Sequence, residues 1–269
     1  MEWIILLIIG FIAAAIGALV GLGGGIIIVP ALLFLGGTAL FAPVSPQVSV
    51  GTSSVILIIT GLSSTLAYMK QKKVDYKLGF ILFIGSAPGS ILGAYANKGL
   101  DMSQFSLYFG LFMVFMSFVL MFKSRAKPIF GTRGIPRTFI DQEGTHTYSI
   151  EPVTGTVASF IVGFFGGLFG IGGGSLMVPA MIMLFAVPPH VAVATSMLLI
   201  FLSAGVSSAT HISLGNVEWF YAAALVPGAW FGAKFGAWLN ARIASKTVVL
   251  LLRLVLILIG IRLIWQGIS

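Results

Sequence analysis

Cysteine is absent from the 269 residues, which excludes disulfides, thiolate metal ligands and cysteine redox chemistry together. Charge is scarce: 8% of residues are charged, and only seven are acidic. Those seven, Glu2, Asp75, Asp101, Asp141, Glu143, Glu151 and Glu218, all fall between apolar stretches or at their ends. A cation carrier or a carboxylate-based proton pump needs an acid within the membrane, so the pattern speaks against both. With three scattered histidines and no embedded carboxylate, no clustered base, nucleophile or metal set presents itself. Catalytic residues, metal ligands and cofactors are not expected.

What remains is apolar. Hydrophobic residues make up 58% of the chain and the mean hydropathy is +1.08, values that place a chain of this size in lipid rather than water. Crossing the hydrocarbon core takes roughly 20 apolar residues. Ten apolar segments fit that scale, near 3–20, 26–42, 48–69, 78–96, 105–122, 153–170, 171–187, 191–213, 219–240 and 247–266. Period-two alternation is missing, so the expected class is an all-α membrane protein and not a β-barrel. The net charge of +8 lies in the loops between segments, which argues for orientation signals and against a nucleic-acid partner. The start Met1-Glu2-Trp3 has no basic flank, so the first segment is expected to be retained.

The run Gly21-Leu22-Gly23-Gly24-Gly25, followed by Val29-Pro30-Ala31, returns as Gly170-Ile171-Gly172-Gly173-Gly174 and Val178-Pro179-Ala180. Pro46 to Ser53 is matched by Pro189 to Ser196, and Pro88-Gly89 with Gly93 by Pro227-Gly228 with Gly232. Three matches in one order indicate duplication. The expected organisation is a first five-segment repeat over 1–122, a cytoplasmic linker over 123–152 and a second repeat over 153–269, with broken or re-entrant helices at the glycine runs. Lys70, Lys72, Lys73 and Lys77 follow the third segment of the first unit, whereas Leu214 to Glu218, the corresponding loop, has no Lys or Arg. Placing the first loop in the cytoplasm brings Lys123, Arg125, Lys127, Arg133, Arg137, Arg242 and Lys246 to the same side, which favours inverted repeats with both termini outside.

Candidate substrate contacts are Gly23, Gly24, Gly25, Gly172, Gly173, Gly174 and Ser175, where a broken helix would turn bare N–H groups toward an anion. Helix packing is the competing explanation, since Gly17, Gly21 and Gly25, like Gly166, Gly170 and Gly174, recur every fourth residue. The hydroxyl pairs Thr52-Ser53 and Thr195-Ser196 could donate to an oxyanion, against the alternative that they bond their own backbone. His211 could carry a proton or could be a hydrogen-bonded structural residue. Embedded Lys234 and Arg253 suit an anion but could equally snorkel toward the surface. Gly85-Gly89-Gly93 and Gly228-Gly232-Gly236 are expected to pack helices, with Pro88 and Pro227 as kinks at matching heights.

The doubled glycine run leading to Val-Pro, the Thr-Ser pair after a proline, and the later Pro-Gly resemble the sulfite exporter TauE/SafE family of membrane permeases. The resemblance covers both units. It implies a secondary transporter of the cell membrane that exports sulfite, organosulfonates or related small anions, with proton coupling as an added expectation. The motif positions it marks are Gly23 to Gly25, Pro30, Thr52, Ser53, Gly172 to Gly174, Pro179, Thr195 and Ser196. An anion channel is the alternative, and a membrane-embedded enzyme the weaker one. The partners expected are a small anionic substrate and membrane lipid; a homodimer is left open.

Overall fold

The computed structural model describes residues 2–37, 41–122, 134–141, 144–174, 176–240, 242 and 246–268. The basic residues Lys123, Arg125, Lys127 and Arg133 of the linker lie outside them. The first unit contributes α1 (Glu2–Val20), α2 (Gly25–Leu35), α3 (Pro46–Lys70), α4 (Tyr76–Lys98) and α5 (Met102–Phe122). The second contributes α6 (Pro152–Phe169), α7 (Met177–Phe185), α8 (Pro189–Ser213), α9 (Trp219–Asn240) and α10 (Lys246–Ile268). Among the described residues, α1, α3, α4, α5, α6 and α8 are long and apolar enough to cross a membrane. Starts are written locally: Pro46, Pro152 and Pro189 open α3, α6 and α8, where a missing N–H costs nothing. Asp75 caps α4, its Oδ1 accepting from the Leu78 N–H at 3.0 Å.

The second segment of each unit is shorter than the apolar runs 26–42 and 171–187 suggest. Helices α2 and α7 have 11 and 9 residues, about 16 and 13 Å, roughly half the hydrocarbon thickness. Each folds back beside the helix before it. Trp3 at the start of α1 packs edge-on to Phe220, and Phe41 beyond α2 packs on Tyr221, so both ends of the α1–α2 pair meet the start of α9. In the second unit Gly155, near the start of α6, faces the ring of Phe185 at the end of α7. Both pairs are thus helical hairpins, each made of one long and one short helix.

The units interlock crosswise. Helix α1 packs on α9 and α6 on α4, while α3 lies against α8 and α5 against α10. The α1–α9 contact is parallel: Gly228, Gly232 and Gly236 sit on the carbonyls of Leu7, Phe11 and Ala15. Likewise Gly85, Gly89 and Gly93 sit on those of Thr156, Phe160 and Phe164. A methyl group at any of these six glycines would overlap the facing oxygen, so the close approach demands glycine. Helices α3 and α8 run in opposite directions, Ser54 meeting Ser207 and Gly61 meeting Phe201. So do α5 and α10, where Ser103 bonds Gly267 and Ser117 bonds Arg253.

These contacts correct one sequence match. Gly85 occupies the place of Gly228, and Gly89 that of Gly232, so Pro88 and Pro227 stand one helical turn apart in the two units and not at equal heights. A shift of four residues returns nearly the same helix face, which is why the Pro-Gly pairing looked equivalent in sequence.

The linker holds a feature that the sequence reading missed. Strands β1 (Ile135–Asp141) and β2 (Gly144–Ile150) form an antiparallel hairpin in which Arg137 pairs with Tyr148. Both side chains reach Asp75, through an Arg137–Asp75 ion pair of 2.6 Å and a short Tyr148 hydroxyl contact with the other carboxylate oxygen. The hairpin therefore covers the start of α4, on the face that carries the lysine-rich α3–α4 loop.

Candidate functional site

Both glycine runs break their helices. Gly21, Gly23 and Gly24 have φ of 84°, 78° and 99°, and Gly170 and Gly172 have φ of 67° and 79°. This left-handed region is open to glycine at little cost. Pro30 falls inside α2, where it also removes the bond to the Ile26 carbonyl. The breaks converge. Gly23 and Gly172 both lie against Leu57 and Ile200, midway along α3 and α8, and Gly25 at the start of α2 abuts Gly170 and Ile171. Every glycine of the two runs is buried. At the start of α2 the Ile27 and Ile28 N–H groups both turn to the Gly24 carbonyl, at 3.0 and 3.1 Å, so this helix begins inside the junction. Three clefts of about 380, 460 and 680 Å³ on the bundle are not lined by either run; the junction is filled by the Leu57 and Ile200 side chains.

The hydroxyl pairs are placed beside the breaks and cross between units. Ser53 Oγ donates to the Gly170 carbonyl at 2.7 Å. Its counterpart Ser196 Oγ lies 3.0 Å from the Gly21 carbonyl and 2.7 Å from that of Val193. Thr52 Oγ1 accepts from the Glu218 N–H, and Thr195 Oγ1 from the Asp75 N–H, each at 3.0 Å. All four are buried, and each has a backbone partner in the opposite unit. They tie the breaks and loops of one unit to the long helix of the other.

His211 is buried, its Nε2 3.3 Å from the Gly167 carbonyl and its Nδ1 3.5 Å from Asn216 Nδ2. Tyr68, at the equivalent place in α3, donates to the Ala18 carbonyl at 2.9 Å. Asn97 and Asn240 complete the symmetry, bonding the carbonyls of Leu168 and Leu19. Ser175 lies outside the described residues. Lys234 lies away from the breaks, in a lateral groove with Lys70.

Two serines were not singled out from the sequence. Ser203 Oγ accepts from the Gly173 N–H at 3.1 Å. Ser86 Oγ is packed so close to Gly173 that a Cβ there would overlap it, and it is buried without a hydrogen-bond partner among the described residues. Thr60, the counterpart of Ser203, is likewise buried and unpartnered. The signal available was spacing: Ser203 lies eight residues beyond Thr195, about two turns along the same face. Asp75 was also read only as a loop acid, yet it is 2% exposed. Burial pushes the Tyr148 hydroxyl pKa upward, and the neighbouring Asp75 carboxylate adds to the shift.

The comparisons with known proteins agree on one family. The profile of the sulfite exporter TauE/SafE family matches residues 6–263. A probable membrane transporter protein of Bacillus subtilis, YunE, is 56% identical over 271 residues, covering 100% of this chain and 99% of its own. A probable membrane transporter protein of Methanocaldococcus jannaschii, MJ0441, is 26% identical, with 96% and 93% covered. The sulfite exporter TauE/SafE family protein 6 of Arabidopsis thaliana is 29% identical over 157 residues, 57% of this chain and 34% of its own. No solved structure matches the chain significantly. With its membrane-crossing helices, the chain is a multi-pass cell membrane protein and a membrane transporter. It belongs to the sulfite exporter TauE/SafE family.

Proposed function

We propose that the chain is a secondary carrier exporting sulfite, organosulfonates or related small oxyanions, with its substrate site at the junction of the two glycine breaks. The observation that carries this reading is the meeting of both breaks between the midpoints of α3 and α8, because secondary transporters form their substrate sites from discontinuous helices that meet between repeats. Helix-start N–H groups and hydroxyls suit an oxyanion without a buried fixed charge. Ser86, Ser203 and Thr60 join the glycines as contacts, while Thr52, Ser53, Thr195 and Ser196 position the breaks.

The two units act as inverted repeats. Support comes from the opposed directions of the equivalent helices α3 and α8, and of α5 and α10. The β-hairpin and the lysine-rich α3–α4 loop face the cytoplasm, and both termini face outside. Since Leu57 and Ile200 fill the junction, the described conformation is closed, and transport requires the units to rock apart. His211 and Tyr68 fill one structural role in the two units, so in proton-coupled export the proton travels on the substrate.

Purified protein in liposomes tests the reading. Saturable flux of sulfite or an alkylsulfonate, with counterflow, is the expected result. Absence of flux for every small oxyanion removes the proposal, and single-channel conductance replaces the carrier with a channel. His211→Gln is expected to keep the wild-type pH profile of flux; a shifted profile would return the proton to the histidine.

A further inference from the structure

A cavity of about 680 Å³ opens on the flank of the bundle between the end of α3 and the second half of α9. Its lining brings together two ammonium groups, Lys70 and Lys234, two indoles, Trp230 and Trp238, and the apolar Leu66 and Met69. Among the described residues no Asp or Glu lines it. Of the other polar groups in its wall, Ser63 Oγ donates to the Trp230 carbonyl at 2.7 Å and Gln71 Nε2 to that of Ala237 at 3.4 Å, while Gln71 Oε1 is buried without a partner among the described residues. The groove faces outward from the bundle. Leu66, Met69 and Trp238 are 42%, 39% and 45% exposed, and the surface continues over Phe231 and Phe235.

We propose that this groove binds an anionic phospholipid from the leaflet on the β-hairpin side, its phosphate between Lys70 and Lys234 and an acyl chain along Leu66, Met69 and the tryptophans. Three arguments select this occupant. Lys234 lies six residues before the end of α9, about 9 Å along the axis, a depth at which an unneutralised ammonium is costly and a headgroup phosphate is within snorkelling reach. Among the described residues the two positive charges meet no acid in the lining, so the ligand supplies the complement. The rest of the wall is apolar and lipid-facing, which fits a ligand with a long hydrocarbon tail and not a small hydrated anion. Basic pockets between membrane helices take such headgroups on this physical ground.

The full-length protein in nanodiscs of mixed phosphatidylglycerol and phosphatidylcholine provides the test, with the retained lipids counted by native mass spectrometry. Wild type is expected to retain phosphatidylglycerol selectively. Each of Lys70→Gln and Lys234→Gln is expected to weaken that selectivity about five-fold, and the double variant about 25-fold. Lys98→Gln, at the far end of α4, is expected to leave it unchanged. Thermal unfolding in pure phosphatidylcholine, expected to be the same for all variants, establishes that they are folded, and either single variant suffices if the double one is not. Equal selectivity in wild type and the folded lysine variants overturns the proposal. Displacement of the lipid by millimolar inorganic phosphate or sulfate also overturns it, because the groove would then be a site for soluble anions.

Discussion

Ser53 and Ser196 direct their hydroxyl protons at backbone carbonyls, whereas Ser86 has no hydrogen-bond partner among the described residues. The two situations predict opposite effects of removing the oxygen. Ser53→Ala leaves the Gly170 carbonyl without its partner and should cost about 1 kcal/mol of stability. Ser86→Ala removes a buried unsatisfied group, so the melting temperature in detergent should hold or rise. Its flux should fall roughly ten-fold or more, the loss of one hydrogen bond to an anion. Thermal melts and liposome flux on the same preparations separate the two; a Ser86→Ala protein that is less stable yet transports normally would remove Ser86 from the site. The Thr-Ser pairs were legible in sequence because they recur after matched prolines. Ser86 was not, since its lack of a partner arises only when α4 meets the second break.

Between elements, the helices were legible because each is a long apolar run bounded by a proline, a capping residue or a glycine. The break at Gly170 to Gly174 was expected from the glycines, but the brevity of α7 was not, since the apolar run 171–187 hides that the helix covers only Met177–Phe185. The β-hairpin was hidden because its hold on the bundle is made of long-range contacts, Arg137 and Tyr148 on Asp75, His146 against His190 and Ile150 in the core, with no local pattern to announce it. Breaking a buried ion pair by removing one partner typically costs about 3–5 kcal/mol, so Asp75→Ala should release residues 135–150. Faster hydrogen exchange there, with α3 and α8 unchanged, is the expected signature.

Alkaline pH should act in the same direction. The Tyr148 pKa is raised in the fold above its ordinary value of 10.0, so its contribution is complete below that value and declines as pH rises above it. Protection factors of the hairpin amides, which allow for base-catalysed intrinsic exchange, should therefore fall above pH of about 10; protection that stays flat would contradict the Tyr148–Asp75 link. Close packing makes a further prediction at this scale. Gly89→Ala and Gly232→Ala each drive a methyl into the facing carbonyl, and each should destabilise the protein by about 1–3 kcal/mol or more. Gly205→Ala, with open space at its Cβ position, should not.

Across the whole molecule, the recurrence of the glycine runs and the lysine asymmetry of the loops are the sequence features on which the proposal of inverted repeats rests. The crosswise contacts α1–α9 and α4–α6 were not legible, because parallel glycine ladders specify that helices touch but not which ones. Those contacts make each unit incomplete alone: the first helical pair rests on the fourth helix of the other unit. Any opening of the junction must slide or rock these ladders, which is the motion an alternating-access carrier requires.

Because the chain lacks cysteine, a single Ile200→Cys variant reports on that junction directly. Ile200 is fully buried between the two breaks, so a membrane-impermeant thiol reagent can reach it only when the junction opens. The account predicts labelling from either face of sealed vesicles, slowed from both by a saturating alkylsulfonate. Labelling from neither face, or labelling that no small anion slows, would contradict it.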